Sequence, residues 1–395
     1  MVRTASVHAE VRTRSTVSIE CPVIRDPSIE RASIEELQPL LVRLERDDPV
    51  VATEVLTRGT LTVDGRLDLC KQGLGPEHVG RVIDGAARNP SVRHLLLGTN
   101  GLGHEGTATL ASRLAGGHGF ETLYLGCNSI DAAALAPLSD ELGSDTTVSA
   151  LWLKRNPIGD TGLVGLARAL RTNRTLRTLD LVNTGITDRG VRRLAEALAA
   201  NHPSPLEHIY LGGNGLGAAD VPAVIELIDS APNLSALSLA VGDLGDSGLA
   251  MLTERVVMLR RPTWLGLGSN ALTSASASAV GRLVCIAEHL DVGRAPSARV
   301  LGGPDNQLGA PGATAIAEAL DGSRLRALDI SHNDINSRAA QRLADALERA
   351  HHQLHTLVFG GGVAASVRRR VDAALKAPNP LDEQAHLRAI KSRYR

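Results

Sequence analysis

Tyr124, Trp152, Tyr210 and Trp264 fall at related positions of a recurring segment, and Asp68, Asp180, His94 and His208 occupy the same positions in other copies. Three kinds of chemistry are open to such residues. Tyr and Trp rings suit a binding surface, where they are enriched among the side chains that carry most of the affinity. An aspartate beside an imidazole suits proton transfer. Imidazoles grouped with thiols or carboxylates suit a transition metal. Which of these applies depends on the elements that carry the residues.

The recurring segment is explicit. VRHLLLGTNGL at 92–102 is followed by FETLYLGCNSI at 120–130, VSALWLKRNPI at 148–158 and LRTLDLVNTGI at 176–186. LEHIYLGGNGL at 206–216, LSALSLAVGDL at 234–244, PTWLGLGSNAL at 262–272 and LRALDISHNDI at 325–335 continue it, with weaker copies at 64–74, 298–308 and 354–364. Measured on the asparagine column, from Gln72 through Asn100, Asn128, Asn156, Thr184, Asn214, Gly242, Asn270, Asn306 and Asn333 to Gly362, most steps are 28 residues and one is 36. The first half of each copy alternates, as a strand does, and the second half carries apolar residues at helical spacing. In the strand halves Leu123, Leu125, Leu151, Leu153, Leu179 and Leu181 point inward, so Tyr124, Trp152 and Asp180 point outward. The asparagine ends the strand, where its short amide can satisfy turn backbone. Thr184 replaces it in part through its hydroxyl, whereas Gly242 and Gly362 cannot, so weaker local order is expected there.

No copy can bury its apolar edge alone, so the copies must stack. Strands need about 4.8 Å each and helices roughly 10 Å, so the stack curves with its strands on the concave side. On that side Tyr124, Trp152, Asp180 and Tyr210 occupy successive strands and form one patch, edged by Lys154, Arg155 and Asn183, with His208 beside it and Trp264 further along. Gly126 and Gly212 leave room for the rings. Phe120 and Phe359 take core columns, and Tyr394 lies in the tail. Metal chemistry fails on distance: His94 and His208 are four repeats apart, roughly 20 Å, and Cys70 and Cys127 two repeats, roughly 10 Å and beyond disulfide reach. Glycine runs such as GLGPEHVG are the repeat's turns and lack the Lys-Ser/Thr of a phosphate loop. No metal or cofactor is expected.

The pattern LxxLxLxxNxL followed by GxxGxxxLAxxL resembles that of the leucine-rich repeats, over roughly residues 63–375. Its length and helical second half are similar to the ribonuclease-inhibitor-like class. That resemblance implies an α/β solenoid, a horseshoe of about eleven repeats with parallel strands inside and helices outside. It also implies a scaffold for a protein partner, one that inhibits or positions an enzyme. The second reading is an enzyme or small-ligand binder of bacterial secondary metabolism, with its site at Asp180 and His208.

Residues 1–62 read as an extension followed by a capping helix at 33–44, with Ser33 and Glu36 as its capping box, and 1–28 read as extended. Residues 376–395 read as a basic tail, either a solvated cap that stops end-to-end stacking or a contact for nucleic acid or acidic protein. The 36-residue step holds an insertion near 285–303, in which Gly302 and Gly303 spoil the strand pattern. Net charge is −1, from 42 basic and 43 acidic residues, which argues against binding nucleic acid by bulk charge. No apolar run is long enough to span a bilayer and no secretory leader opens the chain. Four cysteines at no paired spacing suit reduced thiols in a cytoplasm. The 38 arginines against 4 lysines fit the compositional bias of a GC-rich bacterial genome.

Overall fold

Short leucine-bearing strands pair in register with the next copy and build a single open sheet. The computed structural model describes residues 30–46, 48–378 and 384–394; the extended reading of 1–28 lies outside them. The strands are β1 (Glu54–Val55), β2 (Thr60–Leu61), β3 (Arg66–Asp68), β4 (His94–Leu96), β5 (Thr122–Tyr124), β6 (Ala150–Trp152) and β7 (Thr178–Asp180). They continue as β8 (His208–Tyr210), β9 (Ala236–Ser238), β10 (Trp264–Gly266), β11 (His289–Asp291), β12 (Ala327–Ile330) and β13 (Thr356–Phe359). Their spatial order is their chain order, with β1, β2 and β3 antiparallel and every later pairing parallel. The eleven parallel strands β3–β13 thus form the ladder of a leucine-rich repeat solenoid, and helices return the chain along the other face.

Register is strict. Leu67, Leu95, Leu123, Leu151, Leu179, Ile209 and Leu237 are successive partners, each 0–1% exposed. They belong to one apolar core that runs from Ala32 to Val371 and includes Phe120 and Phe359. At the N-terminal edge, Ser33 and Glu36 close a capping box on helix Ile34–Leu44, whose Leu37, Leu40 and Leu44 join that core. The β1–β2 hairpin covers the remaining edge of β3 and had no signature in the repeat pattern.

The asparagines stitch the turns together. Asn128 Nδ2 donates to Leu97 O and Leu125 O at 2.9 and 3.0 Å, while its Oδ1 accepts from Asn100 N at 2.9 Å. Asn156, Asn214 and Asn306 repeat the arrangement, Asn270 keeps its Nδ2 bond to Leu239 O while its Oδ1 accepts from Leu244 N, Asn100 and Asn333 stand at the two ends, and all seven are buried. Thr184 Oγ1 supplies one donated bond, to Leu181 O at 2.8 Å. At Gly242 backbone closes the turn instead, through Gly242 N to Ser269 O and Asp243 N to Leu216 O.

The insertion is arranged differently from the reading at 298–308. The strand of that repeat is β11, at 289–291, and residues Ala298–Leu301 form a helical turn. The extra residues enter between strand and asparagine, which separates two parts of the consensus that are contiguous elsewhere. Asn306 nevertheless reaches Leu267 O and Val292 O at 3.1 and 2.8 Å, so the ladder is unbroken. The inserted turn packs Ala295, Ala298 and Leu301 with Ala240 and Val241.

Candidate functional site under the C-terminal segment

The outward column of β4–β8 reads Leu96, Tyr124, Trp152, Asp180 and Tyr210, register partners from strand to strand. Tyr124 is seated by glycine: a Cβ at Gly98 would lie 2.4 Å from its ring, and one at Gly126 would lie 2.9 Å from its hydroxyl. Gly212 plays no such part, because a Cβ there would meet Ala240 O at 2.6 Å. Lys154 Nζ lies 5.6 Å from the Tyr124 centroid. Trp152 and Tyr210 stack with centroids 5.3 Å apart, and Trp264 meets Tyr210 edge-on at 5.8 Å.

These rings do not face open solvent. Tyr124, Trp152 and Tyr210 are 5%, 3% and 6% exposed, because residues 384–394 lie across them. Leu387 and Ile390 join one cluster with Leu96, Tyr124, Trp152, Tyr210, Trp264 and Tyr394. The His386 ring stacks on His208 at 3.7 Å, and its Nε2 pairs with the Tyr210 hydroxyl at 2.7 Å. Arg66 donates to the carbonyls of Arg388 and Lys391, 3.2 and 2.5 Å away, at the end of the helical turn Ala385–Arg388. Asp68 accepts from Ser392 Oγ and Arg393 N, both at 3.0 Å, and Thr60 Oγ1 meets the Tyr394 hydroxyl at 2.7 Å. The solvated-tail reading is therefore corrected. A segment with two aliphatic residues three apart and a terminal tyrosine buries more apolar surface on the rings than in water.

Burial sets the protonation of this region. It holds the His208 imidazole below its ordinary range, and it lowers His386 further, to about 3, with His208 as the second cause. It also pushes the Tyr210 hydroxyl up, helped by the charge of Asp180.

The remaining expected residues divide. Asp180 is 2% exposed and accepts from Val182 N at 2.8 Å, while His208 Nδ1 pairs with Thr178 Oγ1 at 2.8 Å. Arg155 and Asn183 are turn residues with φ of 56° and 52°, and Asn183 is fully buried, its Nδ2 on Gly213 O at 3.1 Å. Sequence reasoning missed Thr60 and Arg66, gave Asp68 no partner, and did not dock the segment; the one hint was Tyr394, an aromatic outside the repeats in a chain with few.

Cys127, in the turn after β5, is disulfide-bonded, which corrects the expectation of a reduced thiol there, while Cys70 and Cys285 are thiols. Cys21 lies outside the described residues. Disulfides persist in oxidising compartments, so cysteine usage no longer argues for the cytoplasm. Among the described residues no group of three or more His, Cys, Asp or Glu could hold a metal ion, and no helix is long and apolar enough to cross a membrane.

The leucine-rich repeat profile matches residues 144–167, 172–195 and 324–344. With eleven tandem copies, a parallel strand ladder and stitched asparagine turns, the chain is a leucine-rich repeat protein. Similar solved structures include an internalin, InlF, of Listeria monocytogenes, 15% identical with TM-score 0.43, covering 87% of this chain and 94% of that one. LegL7 of Legionella pneumophila is 18% identical with TM-score 0.48, covering 75% and 95%. Actin-binding site 2 of leiomodin-1 is 21% identical with TM-score 0.27, covering 32% and 69%. No curated protein matches the sequence.

Proposed function

We propose that this chain is a protein-interaction scaffold whose concave face receives a protein partner on Tyr124, Trp152, Tyr210 and Trp264, flanked by Lys154, Arg155, Asp180 and His208; Asn183, expected among them, is turned into the interior and takes no part. By resemblance to the ribonuclease-inhibitor-like repeats, the partner is an enzyme that the scaffold inhibits or positions. One observation carries the reading: the solenoid's core is complete without these rings, which form a separate cluster on the sheet's outer side. Large aromatic side chains that the fold does not need for its own core are suited to recognition.

Affinity capture from the native lysate by the full chain tests this, with wild type compared to Trp152→Ala and Tyr210→Ala. A retained species lost with both variants, which keep the core leucines, is the expected result. Identical capture by all three overturns the assignment.

A further inference from the structure

Residues 384–394 engage the concave face as a ligand engages a receptor. They offer a ring to His208 and Tyr210, two aliphatic side chains to the aromatic cluster, carbonyls to Arg66, and a hydroxyl with an amide to Asp68. The contacts extend from β2 to β8 and cover the outward rings. Two features mark the segment as removable. The solenoid core, with Ala374 and Leu375 packed at its end, includes no residue of 384–394, so releasing the segment leaves that core whole. The fit is also incomplete: Trp152 Nε1 is buried and has no hydrogen-bond partner among the described residues, although indole N–H groups normally find one when buried. A competing segment that brings an acceptor to that nitrogen would bind better than the resident one.

We infer that the C-terminal segment is an intramolecular plug of the concave face, displaced by a partner segment of the same chemistry. That chemistry is a short helical turn bearing a flat ring and two aliphatic side chains, with an acceptor for Trp152 Nε1. Being tethered, the plug competes at a high effective concentration and lowers the partner's apparent affinity by the fraction of molecules that stand open. This inference rests on the proposed binding function and adds its regulation.

The test uses the full chain and a fluorescent peptide of residues 384–395. Leu387→Asp with Ile390→Asp opens the plug without touching the solenoid core. The opened chain should bind the peptide at least tenfold more tightly than wild type, and adding Trp152→Ala should remove most of the gain. His386→Ala, a milder opening, should give an intermediate affinity, which guards against misfolding of the double variant. Equal affinity in wild type and both opened variants, or no binding to any, overturns the plug. So does a wild-type dimer at micromolar concentration that Ile390→Asp converts to monomer, since the segment would then cross between copies. Peptide exchange without any capture dependent on Trp152 would sink the binding reading but keep the plug, whereas the reverse result would sink only the plug.

Discussion

The imidazole of His386 lies flat on that of His208, with centroids 3.7 Å apart and planes inclined by 17°. Both rings are held below their ordinary range by burial, His386 to about 3. Once released into water, His386 returns to near 6.5. The released state therefore takes up a proton that the docked state refuses. Docking is constant above pH about 6.5, weakens as pH falls through that value, and goes on weakening down to about 3. The groups acting on the stack are Tyr210 on β8, whose hydroxyl pairs with His386 Nε2 at 2.7 Å, and Glu207, whose charge works to raise His208, with Asp180 on β7 beside Tyr210. Amide exchange of residues 388–394, corrected for intrinsic rates, should lose about tenfold protection per pH unit well below pH 6. His386→Phe keeps the ring without its proton and leaves only the smaller contribution of His208, so protection as strongly pH-dependent in that variant as in wild type would refute the assignment.

Asp68 holds the far end of the segment through Ser392 and Arg393, and its Oδ1 also accepts from Cys70 N at 3.2 Å. Hydrogen bonds to a charged acceptor are worth about 1.5–3 kcal/mol each. Asp68→Ala should expose residues 392–394 to exchange and proteolysis while residues 385–390 keep part of their protection on the rings. Unchanged exchange at Arg393 would show that the tether contributes nothing.

How much of this was readable beforehand follows from distance along the chain. Leu123, Leu151 and Leu179 recur every 28 residues because each packs on the next copy, so their spacing alone announced strand, core and stacking. The outward positions of Tyr124 and Trp152 followed from alternation. Their cover did not: Ile390 meets them across more than two hundred residues, in a segment with no period. The shift of β11 to 289–291 has a different cause, an insertion that broke the consensus. Asn183 misled for a different reason. It precedes the asparagine column, where the backbone takes a left-handed turn and draws the side chain inward.

The asparagine ladder predicts the same outcome for opposite substitutions at two positions of one column. Asn156 Nδ2 donates to Leu125 O and Leu153 O, and its Oδ1 accepts from Asn128 N and Ile130 N, at 2.9–3.0 Å throughout. Asn156→Ala strands these groups in a dry interior and should cost roughly 3 kcal/mol or more. Restoring the consensus at Gly242 should also destabilise. A Cβ there would lie 2.6 Å from Asn270 Oδ1 and 2.7 Å from Leu216 O, so Gly242→Asn meets backbone that has already closed the turn. Urea unfolding of both variants checks the pair, and a Gly242→Asn protein more stable than wild type would contradict the packing described.

Asp291 on β11 and Asp329 on β12 are register partners on the outward side of the sheet. Burial, and then the charge of Asp329, push Asp291 up to about 6, against a bond from Gly293 N at 2.9 Å that works the other way. The folded chain thus keeps this proton to higher pH than the unfolded chain, which loses it near 4. Stability falls as pH rises from about 4 to about 6 and stays reduced above that. Asp291→Asn retains an oxygen for Gly293 and removes the repulsion. It should stabilise the fold by on the order of 1–2 kcal/mol at pH 7.5 and by little near pH 4. Urea unfolding at the two pH values reads this directly: the same increment at both would assign the gain to packing, and none at pH 7.5 would mean that the two carboxylates do not repel.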